Sequence, residues 1–207
     1  MKGCRPLGKN EWTLVFNSVR GANGLRTKAL MFLGRKTGFR VSELLSLRIR
    51  DLIHDGKPRR SVAVERQSMK GGKAGKATGR TVPLHPDVVP HVMAQFEDLK
   101  AQGYWRPDDF FFQSRAKGNK PIDRIQAWRD CVTPVRFRRV EGKIGTHGLM
   151  RKTFAKEKLD YLTSNWVPGK EVPFHVLQRC TGHKTQEALM AYVQFADEDV
   201  QDAFMNS

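Results

Sequence analysis

Only two stretches of this 207-residue chain alternate polar and apolar residues with the period of a β-strand. Residues 61–65 read Ser-Val-Ala-Val-Glu, and residues 81–84 read Thr-Val-Pro-Leu. Residues 69–79, rich in glycine and lysine, lie between them and are typical of a long hairpin loop. The other apolar residues have helical spacing, so we predict a mostly α chain with one small antiparallel sheet, an α+β fold.

Helical periodicity is clearest near the N terminus. We expect Asn10 to cap a first helix and Gly38 to mark the turn after the second helix, residues 25–36. The apolar residues expected to face inward from these two helices are Trp12, Val15, Phe16, Val19, Leu25, Ala29, Leu30 and Leu33. Further helices are predicted over residues 41–47, 86–102, 122–139 and 146–162, on both sides of residues 181–183, and over residues 196–204.

The charge balance restricts what the chain binds. Lysine and arginine number 37 against 21 aspartate and glutamate, a net charge of +16. Such an excess repels itself unless a polyanion shares it, so nucleic acid is the first candidate and an anionic membrane surface the second. The sequence contains no apolar run long enough to cross a membrane and no secretory signal.

Cysteine and histidine usage predicts neither a disulfide framework nor a metal. Cys4, Cys131 and Cys180 are odd in number and far apart, which favours a reducing, cytoplasmic environment. The six histidines lack metal-ligand spacing, and we expect neither a metal nor another cofactor.

Four groups of residues could carry chemistry. Arg40 stands at a turn into an apolar helix, as a phosphate clamp or as a surface partner of Glu43. The hairpin lysines could enter a groove or only be solvated. His147 and Arg151 share a helix face, and Tyr192 follows Gly182-His183 by nine residues. Each group alone is more often structural than functional.

Taken in order, these groups resemble the catalytic domain of the tyrosine recombinase, or phage integrase, family over about residues 6–195. Thr-Gly-Phe-Arg-Val-Ser-Glu-Leu-Leu-Ser-Leu, residues 37–47, is very close to the first box of the family, and Arg-Thr-Val-Pro-Leu-His-Pro, residues 80–86, resembles its hairpin exit. Phe-Phe-Gln-Ser-Arg, residues 111–115, and Arg-Lys-Thr-Phe-Ala, residues 151–155, are similar to two further segments.

The resemblance implies a DNA strand-exchange enzyme with the tyrosine recombinase catalytic-domain fold. Arg40 and Arg151 would hold the scissile phosphate, and Tyr192 would attack it to form a 3′-phosphotyrosyl bond. His183 would hydrogen-bond the phosphate, and Glu43 would support the site. Lys70 best matches the general-acid lysine, with Lys73 and Lys76 as alternatives. The expected DNA contacts are Arg66, Lys73, Lys76, Arg80 and Arg115.

Two departures from the family pattern stand out. The family usually places histidine three residues before the second arginine, but Gly148 occupies that position and His147 stands four before Arg151. One residue inserted at the start of the helix would restore the placement. Only about ten residues precede the first predicted helix, so we expect no N-terminal DNA-clamping domain and an extent similar to that of the fimbrial phase-variation invertases. A truncated chain would look the same.

We therefore expect residues 1–195 to form the catalytic domain and residues 196–207 an acidic tail helix, which packs on its own domain or on a neighbouring protomer. The expected partner is double-stranded DNA, bound by a chain that is monomeric when free and tetrameric on paired sites. Accessory DNA-binding proteins could supply the missing clamp, and the expected location is the cytoplasm, with the nucleoid. Two alternatives are relaxation of DNA as by type IB topoisomerases, and a non-catalytic DNA-binding relative.

Overall fold

The computed structural model describes residues 4–64, 79–116, 118–183 and 185–190. The chain falls into two compact units, Met1–Phe154 and Ala155–Ser207. The predicted fold class is confirmed, since helices predominate and the strands pair in small antiparallel sheets. No helix in the described ranges has the length and apolar character needed to cross a membrane.

The chain begins with helix α1 (Lys9–Ser18), which buries Trp12 and Val15. The predicted cap at Asn10 was wrong, because the helix starts directly after Gly8. The carboxylate of Glu11 accepts a hydrogen bond from the Gly8 N–H at 2.9 Å, and this bond satisfies a backbone group that the helix itself leaves open.

Helix α2 (Gly24–Thr37) runs through the core of the first unit. Its buried face passes through Arg26, Leu30, Leu33 and Thr37 at helical spacing. This face leaves Leu25 outside with 44% exposure, so the inward orientation predicted for Leu25 was wrong.

Gly38 ends α2 where the sequence predicts a turn. Its φ of 64° lies in the left-handed region, and its N–H donates to the carbonyl oxygen of Gly34 at 3.0 Å. A Cβ atom at Gly38 would also overlap with the ring of Phe154. Backbone conformation and packing therefore both require glycine immediately before the segment that carries Arg40.

Two short helices, α3 (Val41–Leu45) and α4 (Ile49–Leu52), lead into the strands. Strand β1 (Ile53–His54) pairs with β2 (Lys57–Pro58), and β3 (Ser61–Val64) pairs with β4 (Arg80–Pro83), both antiparallel. Ser61 lies opposite Pro83, so the two alternating stretches pair with each other. The described part of the chain thus has two small sheets where the sequence led us to expect one.

The rest of the first unit is helical around a buried Phe111–Phe112 pair. A 3₁₀ turn, Pro86–Val88, leads into α5 (Val89–Ala101), and α6 (Arg124–Phe137) follows a cap in which Asp123 accepts from the N–H of Gln126 at 2.7 Å. A π-helical turn, Gly148–Lys152, leads into α7 (Thr153–Ser164).

The second unit has a small core of its own. Helix α8 (Pro173–Thr181) and helix α9 (Gln186–Met190) bury Leu177 and Leu189. Gly182, with φ 69°, ends α8 in the left-handed conformation, so this glycine sets the direction in which the chain leaves toward His183.

Candidate phosphate-binding site

A completely buried carboxylate, Glu43, organises the start of α3. It accepts hydrogen bonds from the backbone N–H and from the Nη1 atom of Arg40, both at 2.8 Å. The Arg40 side chain keeps 32% of its surface exposed. A buried charge is stable only when it is paired, so Glu43 fixes the guanidinium of Arg40 while leaving part of it accessible to a ligand.

Arg80, on β4, approaches the same carboxylate. Its Nη2 atom lies 3.7 Å from Oε2 of Glu43, and its guanidinium lies 4.7 Å from the centre of the Phe39 ring. Only 13% of the Arg80 side chain is exposed. Arg80, which we expect from the sequence to contact DNA, therefore lies beside Arg40, and the two arginines share one carboxylate.

Arg151 is 1% exposed and belongs to the π-helical turn. Its Nη1 atom donates to the carbonyl oxygen of Gly38. Because Gly38 stands two residues before Arg40, this bond attaches the second predicted phosphate ligand to the turn that presents the first. The structure thus brings together Arg40, Glu43, Arg80 and Arg151.

The π-helical turn explains the shifted histidine. A π turn holds one more residue than an α turn, so it accommodates the extra residue between His147 and Arg151. A Cβ atom at Gly148 would overlap with the backbone carbonyl oxygen of Arg5. The usual histidine position is therefore closed to any side chain, and His147 is the residue that stands next to the cluster.

His147 is an exposed residue with a strongly perturbed imidazole. Its pKa is lowered to about 4, first because the surrounding protein disfavours the charged form, and then because Arg151, Lys152 and Arg40 repel a proton. Since His147 retains solvent access, we attribute the direction of the shift mainly to these cations. His147 is therefore neutral near pH 7, beside a concentration of positive charge.

Sequence reasoning gave no role to Lys152 and predicted for Arg80 a contact with DNA but no position relative to Arg40. Lys152 is 6% exposed, and its charge contributes to the lowered pKa of His147. A lysine directly after an arginine gives no local signal of burial, and the position of Arg80 depends on the register of β4. Both residues add to the positive charge that a bound anion would meet.

His183 belongs to the second unit and is held locally. Its Nδ1 atom lies 2.7 Å from Oγ1 of Thr181, and its carbonyl oxygen accepts from Nε2 of Gln178 at 3.2 Å. These two contacts restrict the ring and the backbone of His183 after the turn at Gly182.

Several predicted site residues lie outside the described ranges. They are Arg66, Lys70, Lys73 and Lys76 of the predicted hairpin loop, the predicted nucleophile Tyr192, and the predicted tail, residues 196–207. Arg115 is described and exposed, on a different part of the first unit. Outside the ranges that could not be described, no group of three or more histidine, cysteine, aspartate or glutamate residues is arranged to hold a metal ion.

The cluster has the chemistry of an oxyanion site. Planar guanidinium forks suit phosphate oxygens, and Arg40 keeps part of its fork exposed while Arg151 is buried behind the same turn. Glu43 compensates part of their charge when no ligand is bound. The net positive charge that remains favours an anion whose charge increases during reaction.

Comparison with known proteins identifies the family. The model of the phage integrase family matches residues 7–199, and the chain belongs to this family. No curated protein matches it significantly by sequence.

Solved structures share the fold at low sequence identity. The XerA recombinase (TM-score 0.71, 18% identity) aligns with 99% of this chain, and XerH bound to a palindromic difH substrate (0.71, 19%) aligns with 97%. This chain spans only 64% and 52% of those two chains. The catalytic domain of bacteriophage HP1 integrase has a TM-score of 0.51 at 18% identity, and the alignment covers 99% of this chain and 96% of that domain.

Proposed function

We propose that the chain is a site-specific DNA recombinase that cleaves and rejoins DNA through a covalent 3′-phosphotyrosyl intermediate on Tyr192. The observation that carries this proposal is the attachment of Arg151 to the Gly38 carbonyl, beside Arg40 held by buried Glu43. This arrangement fixes two guanidinium forks at one place, as a phosphodiester in an in-line displacement requires.

The forks of Arg40 and Arg151 would bind the non-bridging oxygens of the scissile phosphate and stabilise the pentavalent transition state. The Tyr192 oxygen would attack phosphorus, and the bond to the 5′-oxygen would break. Since a phenol has a pKa of about 10, its deprotonation needs help from the positive clamp or from a base. The phosphotyrosine conserves the bond energy, so rejoining needs no nucleotide cofactor.

The remaining polar residues have separate roles in this proposal. Lys70 would protonate the departing 5′-oxygen, with Lys73 and Lys76 as alternatives. His183 would donate a hydrogen bond to a phosphate oxygen, and its contact with Thr181 supports a fixed ring. His147, neutral near pH 7, would hydrogen-bond the phosphate without adding charge.

A suicide substrate tests the proposal. A nicked duplex that loses a short fragment after cleavage would trap the wild-type chain as a covalent adduct, and Tyr192→Phe would form none while still binding DNA. An adduct that persists in Tyr192→Phe would move the chemistry to Tyr104 or Tyr161. A wild-type chain that binds DNA but never forms an adduct would instead be a non-catalytic DNA-binding relative.

Recombination and topoisomerase activity share this chemistry, and the products separate them. A recombinase changes the linkage between two sites, whereas a type IB topoisomerase changes only the supercoiling of one DNA. Whether the chain integrates, excises or inverts DNA would follow from the arrangement of the sites supplied. Action on chromosomal or mobile DNA would place the chain in the cytoplasm, with the nucleoid.

We further propose that residues 1–195 form the catalytic domain and that residues 196–207 contact a neighbouring protomer. The tail carries Asp197, Glu198, Asp199 and Asp202 beside an apolar stripe that includes Val200 and Phe204. A monomer in solution would become a tetramer on paired sites, with or without accessory DNA-binding proteins. Deletion of residues 197–207 should spare single-site binding and impair paired-site complexes; normal recombination by the deleted chain would contradict this role.

A further inference from the structure

Four arginines surround an open cleft in the first unit. The cleft has a volume of about 680 Å³ and lies between the segment that joins α1 to α2 and one side of α6. Arg20, Arg115, Arg129 and Arg138 line it, together with hydrogen-bonding side chains such as those of Asn23 and Thr133. We call it the arginine cleft.

The charge of the arginine cleft is not compensated by neighbouring carboxylates. In the part of the chain that the structure describes, none of its four arginines forms an ion pair. The lining also contains Asp130, but this carboxylate accepts from Arg26 at 2.7 Å and from Gln126 at 2.7 Å. Four like charges that face one concave surface repel one another and attract a polyanion.

The cleft is separate from the phosphate-binding site. Asn23 and Thr27 place it at the N-terminal end of α2, whereas Gly38 and Arg40 follow the C-terminal end. A helix of 14 residues is about 20 Å long. None of the described residues that line the cleft belongs to the phosphate-binding site, and Asn23 lies about one helix length from Arg40.

The exposed ring of Phe137 in the arginine cleft indicates which class of polyanion would bind there. Phe137 lines the cleft with 72% of its surface exposed, and the guanidinium of Arg138 lies 5.3 Å from its ring centre. Guanidinium forks suit phosphate oxygens, and a flat apolar ring beside them suits the face of a sugar or base.

We propose that the arginine cleft binds the phosphodiester backbone of DNA, as a second contact in addition to the phosphate-binding site. The inference rests on the proposed function in so far as DNA is the substrate. The DNA in the cleft is either a further stretch of the duplex held at Arg40 or a second duplex. In both cases the contact is with phosphates and does not depend on base sequence.

The test is the salt dependence of duplex affinity. Arg129→Gln combined with Arg138→Gln removes two exposed charges, and each lost phosphate contact should lower the slope of log affinity against log salt by about 1, hence by about 2 in total. Lys57→Gln with Arg106→Gln removes the same charge from exposed positions outside the cleft and should leave the slope within error of wild type. Urea unfolding of both double variants confirms that they are folded.

Stoichiometry with a short duplex identifies the source of the phosphates. One duplex per wild-type chain, with a smaller slope in the cleft variant, supports one continuous duplex. Two duplexes that become one in the cleft variant support a second DNA. A cleft variant whose slope equals that of the control overturns the proposal; if that variant instead loses binding to a peptide of residues 196–207, the cleft is a protein-docking site.

The same samples separate this inference from the proposed function. A wild-type chain that forms no adduct with a suicide substrate, but whose slope falls in the cleft variant, would retain the cleft contact and lose the recombinase activity. If the wild-type chain forms an adduct but the cleft variant keeps the wild-type slope, the recombinase activity stands and the cleft contact is overturned.

Discussion

The backbone carbonyl oxygen of Arg5 lies so close to Gly148 that no side chain fits between them. Arg5 is itself anchored, since its N–H donates to the carbonyl oxygen of Lys143 at 3.0 Å and its guanidinium pairs with Glu11. Leu7, two residues later, donates its N–H to Oγ1 of Thr153 at 3.0 Å. The N-terminal segment therefore holds the turn that carries Arg151 against the body of the first unit.

This relationship predicts that Gly148→Ala is destabilising. The added methyl group would overlap with backbone that cannot move without breaking the Arg5 contacts, at a cost of about 1–3 kcal/mol. Gly24→Ala is the matched control, because Gly24 is helical and its Cβ position is empty; it should be neutral or stabilise by about 0.4–1 kcal/mol. Urea unfolding measures the stability of both variants. If Gly148→Ala is as stable as wild type, the backbone around Arg5 moves to make room for the methyl group.

Local patterns predicted those parts of the fold that depend on near neighbours. Gly38 ends α2, Arg40 pairs with Glu43, and the strands around Val62 and Val82 pair as expected. Each of these features depends on residues a few positions apart or on one alternating pattern.

One missed element did have a local signal. The β1–β2 pair turns through Asp55 and Gly56, whose φ values are 50° and 71°. Two successive positive φ values are typical of the tight hairpin turn that Asp-Gly favours. The strands beside it are only two residues long, too short for an alternating pattern to reveal.

The arrangement of the site depends on contacts between distant parts of the chain. Arg80 reaches Glu43 only because β4 pairs with β3 in one register and packs near α3. The π-helical turn at Gly148 is matched to the backbone of Arg5, more than 140 residues away in sequence. No local pattern encodes either contact, so the sequence predicted neither the position of Arg80 beside Glu43 nor that of His147.

Charge-conserving substitutions test the two guanidinium forks. Arg40→Lys and Arg151→Lys keep a positive charge but lose bidentate hydrogen bonding, so cleavage of a suicide substrate should fall roughly 100-fold or more. Duplex affinity should fall much less, because charge dominates it. Arg106→Lys, at an exposed position, is the control for both measurements. Parallel losses of cleavage and affinity would mean that these arginines only anchor the DNA backbone.

The general-acid role of Lys70 can be tested by combining one substitution with a modified DNA substrate. Lys70→Ala should cleave ordinary DNA slowly, because the 5′-oxygen would leave without a proton. A substrate with sulfur at the 5′-bridging position should restore cleavage, since a thiolate leaves unprotonated. Lys73→Ala and Lys76→Ala are the matched comparisons. Rescue of one of these variants, without rescue of Lys70→Ala, would assign the proton donor to that lysine.

The environment of His147 predicts a dependence on pH. Its folded-state pKa of about 4 lies below the ordinary value of 6.5, so protonation opposes folding. The stability contributed by neutral His147 is therefore complete above about pH 6.5 and is lost as the pH falls toward 4. His147→Asn cannot titrate in this range, so its stability should decline less than that of wild type between these values.

Nuclear magnetic resonance measures this pKa directly. The imidazole signal that disappears in His147→Asn should titrate with a midpoint of about 4 in the free chain. A bound DNA phosphate would offset the charges of Arg40 and Arg151 and raise the midpoint. Binding should therefore take up a proton, and duplex affinity should increase as the pH falls from 6.5 toward the free-chain midpoint. A midpoint near 6.5 in the free chain would contradict the proximity of His147 to Arg151, Lys152 and Arg40. A midpoint that stays near 4 when DNA is bound would mean that the phosphate does not bind beside His147.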